Sequence, residues 1–217
     1  ATDTTRQPGS TFKILAAYSA ALDAGGLTLA SVQDDAPYTY AGANGKSVNN
    51  YDRRYRGFTT LREAITDSIN IVTVKTLAQA GVSLGWQYVQ EYGFTTVDSR
   101  DMNEALALGG ITQGVSNLEL TAAYAAIANQ GTYIKPKFYT KILDHDGNVL
   151  IDNTTPESHT VIKDTTAWLL TSAMEDVMTS GTGTSAYFGS SMAQAGKSGT
   201  TTSSRDALFA GYTPYYT

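Results

Sequence analysis

The chain has 217 residues, and its 15 Lys and Arg against 20 Asp and Glu give a net charge of -5 at pH 7. This acidic balance argues against a nucleic-acid partner, which needs a dense basic surface. Hydrophobic residues make up 41% of the chain and cysteine is absent, which excludes disorder, disulfides and thiolate chemistry. No apolar run reaches the roughly 18 residues that a membrane-spanning helix needs.

The chain begins with a predicted buried helix. Residues 10–23 are apolar on nearly every side, and Gly25 and Gly26 are typical of a helix end. Residues 31–58 are polar, rich in Tyr and without periodicity, which indicates a long loop with short strands and a turn at Asn44 and Gly45.

Two capping boxes predict the starts of further helices. Thr60 with Glu63 and Ser116 with Glu119 have the spacing at which each side chain bonds the other's backbone N–H. Asn70 is an N-cap candidate for a helix from residue 71, and Asp164 for a later one. The spacing of apolar residues and the glycines that follow several of these segments set the helix bounds. The predicted helices span residues 60–68, 71–80, 86–92, 116–129 and 164–179.

The later part of the chain contains the predicted strands. Residues 132–143 alternate, and a turn at Asp146 and Gly147 predicts a hairpin with residues 148–151. A mobile loop is expected at 180–191, followed by strands at 193–201 and 206–213 joined by Ser203-Ser204-Arg205. Helices mostly precede strands, so the predicted fold is α+β, with a helical subdomain packed against an antiparallel sheet.

Ser10 and Lys13 place a hydroxyl and an amine on one face of a helix start. A serine hydroxyl needs a base beside it to act as a nucleophile, and a lysine with a lowered pKa can be that base. Burial in the apolar helix would lower the pKa of Lys13. Taken alone, this pair is better explained as a solvated helix end.

Two further elements carry similar chemistry. Ser68-Ile69-Asn70 can relay a proton and hold a substrate amide, although Asn70 also fits a simple cap. Lys197-Ser198-Gly199-Thr200 offers a cation and two hydroxyls to a carboxylate, although a turn with a surface lysine is the plainer explanation. The backbone N–H groups of Ser10 and Thr200 would suit an oxyanion hole.

The three elements in this order resemble the signature of penicillin-binding proteins and class A β-lactamases. Beyond them, residues 6–13, 51–64, 107–116 and 195–201 resemble segments of the transpeptidase domain of class A, bifunctional penicillin-binding proteins. The similarity covers nearly the whole chain. It implies a penicillin-binding protein/serine β-lactamase-like fold and an enzyme of the D,D-transpeptidase or carboxypeptidase type.

The sequence departs from this family in two respects. Ser198 stands where the family more often has Thr, which keeps a hydroxyl. The family also has strands before the nucleophile helix and a strand and helix after the last motif. We therefore expect residues 1–217 to be a fragment of the transpeptidase domain, with an incomplete sheet.

The resemblance implies acyl transfer on peptidoglycan stem peptides ending in D-Ala-D-Ala, at the extracytoplasmic face of a bacterial membrane. Ser10 would be the nucleophile and Lys13 its base, Ser68 and Lys197 would relay the proton, and Asn70 would hold a substrate amide. The carboxylate would bind at Ser198, Gly199 and Thr200. β-Lactam antibiotics would acylate Ser10, and no metal or organic cofactor is required.

Two alternatives remain open at this point. A serine β-lactamase shares the site but needs a carboxylate to activate a deacylating water. Glu63, Glu91, Glu104 and Glu119 lie in helical or capping contexts instead. A non-catalytic fragment would bind penicillin without turnover, and its exposed sheet edges would pair with other fragments or copies of the same protein.

Overall fold

A computed structural model describes residues 4–41, 45–189, 191–201 and 205–217. In this part of the chain the α-helices are α1 (Ser19–Asp23), α2 (Leu61–Thr66), α3 (Asn70–Ala80), α4 (Val82–Glu91), α5 (Asn117–Ala128) and α6 (Asp164–Thr179). The strands are β1 (Thr5–Arg6), β2 (Val32–Asp35), β3 (Tyr38–Thr39), β4 (Ser47–Val48), β5 (Gly57–Thr60), β6 (Val115–Ser116), β7 (Thr132–Ile134), β8 (Lys141–Leu143), β9 (Val149–Asp152), β10 (Ser158–Thr160), β11 (Ala195–Thr200) and β12 (Ala207–Tyr212).

The first helical segment, residues 9–23, runs through the core. It begins with a 3₁₀ turn at Gly9–Thr11, continues through a π-helical stretch at Ile14–Tyr18 and ends as α1. Every residue from 11 to 21 is buried, as expected of a helix that is apolar on all sides. The prediction of a buried helix ending before Gly25 is confirmed, and Ser10 lies at its partly exposed start.

Strands β11 and β12 form an antiparallel pair in which Lys197 lies opposite Ala210. Helix α6 packs against β11 and helix α5 against β12. The predicted α+β fold is therefore confirmed. This sheet has two strands within the described ranges, as expected of an incomplete sheet. The predicted connection at residues 203–205 lies largely outside the described residues, as does Asn44 of the predicted turn.

The prediction of one strand over residues 132–143 is wrong. The segment divides into β7, which pairs with β10, and β8, which pairs with β9 across the predicted turn. Pro136 lies between the two pieces, and a proline lacks the N–H that a continuing strand must donate. Strand β10, at Ser158–Thr160, was not predicted because its short polar sequence carries no alternating pattern.

Both capping boxes form as predicted, at Thr60 with Glu63 and at Ser116 with Glu119. The predicted caps Asn70 and Asp164 are wrong by one residue, because each is the first residue inside its helix. Helix α2 also ends before the predicted Ser68. Helix α4 begins at Val82, ahead of the predicted residue 86.

Within the described residues, no helix is both long enough and apolar enough to cross a lipid bilayer.

Candidate active site

The amine of Lys13 lies inside the protein between the first helical segment and the turn that precedes α3. Its side chain is 0% exposed. Nζ donates to the backbone oxygen of Ser68 at 2.7 Å and to Oδ1 of Asn70 at 2.6 Å. The hydroxyl of Ser68 lies 3.2 Å from the same nitrogen. The structure therefore brings Lys13 together with Ser68 and Asn70, which follow it in the sequence by 55 and 57 residues.

Burial, and then the positive charge of Lys197, hold the pKa of Lys13 well below its usual value of 10.5. Burial lowers the pKa of Lys197 to about 7. A neutral amine has two N–H donors and a lone pair. The two carbonyl oxygens beside Lys13 accept both N–H bonds, so the lone pair of the neutral form is free to accept a proton from a hydroxyl. A lowered pKa and an available lone pair are what a general base requires.

Ser68 owes its position to an uncommon backbone conformation. Its φ is +57°, in the left-handed region that residues other than glycine seldom adopt. The turn is held by the N–H of Ile69, which donates to the Ala64 oxygen at 2.9 Å. This conformation lets both the backbone oxygen and the hydroxyl of Ser68 reach Lys13.

Strand β11 lies directly against the start of the first helical segment. A Cβ placed on Gly199 would lie 2.7 Å from the Pro8 oxygen and 3.0 Å from the Thr11 nitrogen. A Cβ on Gly9 would lie 3.1 Å from the Thr200 oxygen. Glycine is needed at both positions because two backbones meet there, and this contact brings Thr200 beside Ser10.

The resemblance found in the sequence implies that β-lactams acylate Ser10, and on that expectation Gly199→Ala should slow this acylation about 100-fold. The added methyl would push β11 away from backbone atoms that cannot yield, and shifts of about 1 Å at a reacting centre have effects of this size. Stopped-flow measurement of acylation checks this. Gly147→Ala is the control for a methyl added away from the site. Gly147 lies in a hairpin turn with open space around it but with a φ of +85°, so this variant should lose some stability and keep the unmodified acylation rate. Equal acylation by Gly199→Ala and the unmodified protein would contradict the packing argument.

A cleft of about 440 Å³ opens over this contact. Ser10, Asn70 and Thr200 line it together, and Tyr40, Lys46 and Arg205 form part of its wall. In the Tyr-rich segment predicted as a long loop, Tyr40 lies at the cleft while Tyr51 and Tyr55 are exposed. The cleft is large enough to hold a short peptide segment over the Ser10 hydroxyl.

Lys197 and Ser198 lie on the strand next to this cleft. Lys197 is buried and donates to the Ser198 oxygen at 3.1 Å. The Ser198 hydroxyl lies 2.7 Å from the hydroxyl of Thr182, a residue that the sequence analysis missed. The sequence does carry one signal for Thr182, because glycines flank it on both sides. In the structure a Cβ on Gly181 would lie 2.3 Å from the Thr66 oxygen, so glycine is needed there.

The glutamates considered for a hydrolytic base are engaged elsewhere. Glu63 and Glu119 complete their capping boxes. Glu104 accepts hydrogen bonds from the Tyr38 hydroxyl at 3.0 Å and from the Ala41 N–H at 2.9 Å. Glu91 lies beside His159 on the surface. Nothing in these contacts favours a β-lactamase.

Comparisons with known proteins agree on one family. A family model described as the penicillin binding protein transpeptidase domain matches residues 1–217. Penicillin-binding protein 1F of Bacillus subtilis (strain 168) is 39% identical over 218 residues. That alignment covers 98% of this chain and 29% of the relative, so the chain spans less than a third of the relative's length.

Solved structures share the fold. Penicillin-binding protein 1A from Haemophilus influenzae has a TM-score of 0.86 at 28% identity, over 98% of this chain and 37% of that chain. Penicillin-binding protein A from M. tuberculosis, solved as an imipenem acyl-enzyme complex, has a TM-score of 0.83 at 21% identity, over 97% of this chain and 52% of that chain. At 21% identity, the likeness to penicillin-binding protein A shows a shared fold only.

Proposed function

Because the chain belongs to the penicillin-binding protein transpeptidase domain family, we propose that it is a serine D,D-transpeptidase that crosslinks peptidoglycan stem peptides and is acylated by β-lactam antibiotics. The observation that carries this proposal is the buried amine of Lys13, bonded to Ser68 and Asn70 and placed one helical turn after Ser10. Lysine is almost never fully buried unless it is paired, and a buried group beside a cleft with a strongly lowered pKa is a candidate for catalysis.

Acylation begins when the neutral Lys13 amine takes the proton of the Ser10 hydroxyl. The Ser10 oxygen forms a bond to the carbonyl carbon of the penultimate D-Ala. The N–H groups of Ser10 and Thr200 stabilise the resulting oxyanion, and the contact of β11 with the helix start supports this pairing. The site needs no cofactor for this step.

The C–N bond to the terminal D-Ala then breaks, and the leaving nitrogen must gain a proton. The proton on Lys13 passes to it through the Ser68 hydroxyl, which lies 3.2 Å from Nζ. We assign Lys197 to the same relay because its charge is near enough to lower the pKa of Lys13. The terminal carboxylate binds at Ser198, Gly199 and Thr200, while Asn70 orients the substrate amide. An amine of a neighbouring stem peptide finally attacks the carbonyl carbon of the acyl-enzyme. The C–O bond to Ser10 breaks, and the proton that the amine loses returns to the Ser10 oxygen.

A β-lactam follows the same first step, but its leaving group stays attached and blocks the incoming amine. The reaction takes place at the extracytoplasmic face of a bacterial membrane, where the stem peptides lie. The relatives' names, all penicillin-binding proteins, support the β-lactam part of the proposal.

Mixing the protein with a chromogenic β-lactam tests the proposal. We expect a burst of about one equivalent followed by very slow turnover, and intact-mass spectrometry should show one covalent adduct. Steady turnover would instead indicate a β-lactamase. The absence of both burst and adduct would refute the proposal.

A further inference from the structure

Asn50 lies directly behind the turn that carries Ser68 and Asn70. Its side chain is 1% exposed. Its Oδ1 accepts the backbone N–H of Asn70 at 3.0 Å and that of Ile71 at 3.2 Å. Helix α3 has no side-chain cap of its own, because Ile69 occupies the N-cap position. Asn50 therefore supplies, from a distant loop, the acceptor that a helix start requires.

Asp35 and the backbone oxygen of Arg54, which accepts from Nδ2 of Asn50 at 2.8 Å, fix which way the Asn50 amide points. Both carboxylate oxygens of Asp35 accept from Nδ2 of Asn50, at 2.8 and 2.9 Å, and one also accepts the Arg56 N–H at 2.9 Å. A carboxylate can only accept hydrogen bonds, so it selects the nitrogen of the amide. The oxygen of Asn50 is then left to face the helix start.

Asn49, the residue before Asn50, orients the side chain of Asn70. The backbone oxygen of Asn49 accepts from Nδ2 of Asn70 at 2.7 Å. Oδ1 of Asn70 is therefore turned towards the amine of Lys13, 2.6 Å away. Asn49 and Asn50 together hold the backbone and the side chain of Asn70.

We propose, on the basis of the function proposed above, that Asn50, oriented by Asp35, is a positioning residue that keeps Ser68 and Asn70 at the Lys13 amine. The left-handed φ of Ser68 makes such support necessary, because an unfavoured backbone conformation persists only where its surroundings hold it. Asn50 acts through α3 and touches no reacting atom.

The test measures acylation of Asn50→Ala by a chromogenic β-lactam in stopped flow. We expect the rate constant at saturation to fall roughly 10- to 100-fold. The half-saturating concentration should change less than about threefold, because Asn50 positions groups without binding the ligand. Ser116→Ala is the matched control, since it removes a side-chain cap from α5. It should lower the thermal unfolding temperature but leave the saturated rate constant unchanged.

A second variant covers an Asn50→Ala protein that does not fold. Asp35→Asn keeps the side-chain size but leaves one acceptor oxygen where two accept from Asn50 and one of them also accepts the Arg56 N–H. Asn50 is then held less firmly, so acylation should slow while the half-saturating concentration changes little.

The results separate the two proposals. If the unmodified protein forms no adduct, the proposed function itself fails. If it acylates normally but Asn50→Ala does so at the same saturated rate, or Ser116→Ala slows equally, the positioning role is overturned. Asp35→Asn that acylates at the unmodified saturated rate would overturn it as well.

Discussion

Ser10→Ala is expected to abolish covalent labelling by a fluorescent penicillin. Alanine has no hydroxyl, so no ester can form at the cleft, whatever the rest of the site does. Ser10 is partly exposed and lines the cleft, while the following ten residues of its helix are buried. The substitution removes one oxygen at a partly exposed position, so the fold should be retained. In-gel fluorescence and intact-mass spectrometry measure the adduct.

Ser19→Ala is the control on the same helix. Its hydroxyl is buried, donates to the Ile14 oxygen at 2.9 Å and lies 2.9 Å from the Tyr92 hydroxyl, away from the cleft. This variant should keep full labelling, although it loses some stability. Labelling that persists in Ser10→Ala would place the nucleophile elsewhere, and peptide mapping of the adduct would then identify it.

Lys13→Met should reduce acylation by roughly 10²–10⁴-fold, the usual contribution of a general base. Methionine fills nearly the same volume but can neither take nor relay a proton. The change removes the desolvation penalty of a buried amine, which favours folding. It also leaves the oxygens of Ser68 and Asn70 without their donor, which disfavours folding. Because these effects oppose each other, the free energy of unfolding should change by at most about 2 kcal/mol.

Stopped-flow acylation and thermal unfolding of Lys13→Met measure the two quantities. Lys75→Met is a suitable control, because that lysine donates to the Asp34 oxygen on the surface. It should acylate at the unmodified rate. Undiminished acylation by folded Lys13→Met would remove Lys13 from the role of base, whereas a loss confined to unfolded protein would show a structural role only.

Much of the fold follows from local patterns. A capping box joins residues three apart, so the sequence contains everything needed to predict the helix starts after Thr60 and Ser116. The all-round apolar character of residues 11–21 likewise predicts their burial. The failures arose where the local pattern was incomplete, as at the strand divided near Pro136 and the unpredicted strand at Ser158–Thr160.

The candidate site was predictable only where residue types with recognisable chemistry stand at short spacing. Ser10 with Lys13 and Ser68 with Asn70 stand at such spacing, but only the three elements in order, and the family they resemble, gave roles to them and to Lys197. The structure places Lys13 against Ser68 and Asn70, and the catalytic roles are proposals. The supporting residues Asn50 and Thr182 belong to no such short pattern. Asn50 bonds a helix start twenty positions away and Thr182 a hydroxyl sixteen away, and no local pattern predicts such tertiary contacts.

The pH dependence of acylation tests most directly whether an uncharged Lys13 drives the reaction. Because burial and the charge of Lys197 lower the pKa of Lys13, the acylation rate should rise and level off well below pH 10.5. Removing that charge by Lys197→Met should raise the pKa of Lys13 and move the rise to higher pH. A rate that rises only near pH 10.5, or a rise that Lys197→Met leaves in place, would contradict the account.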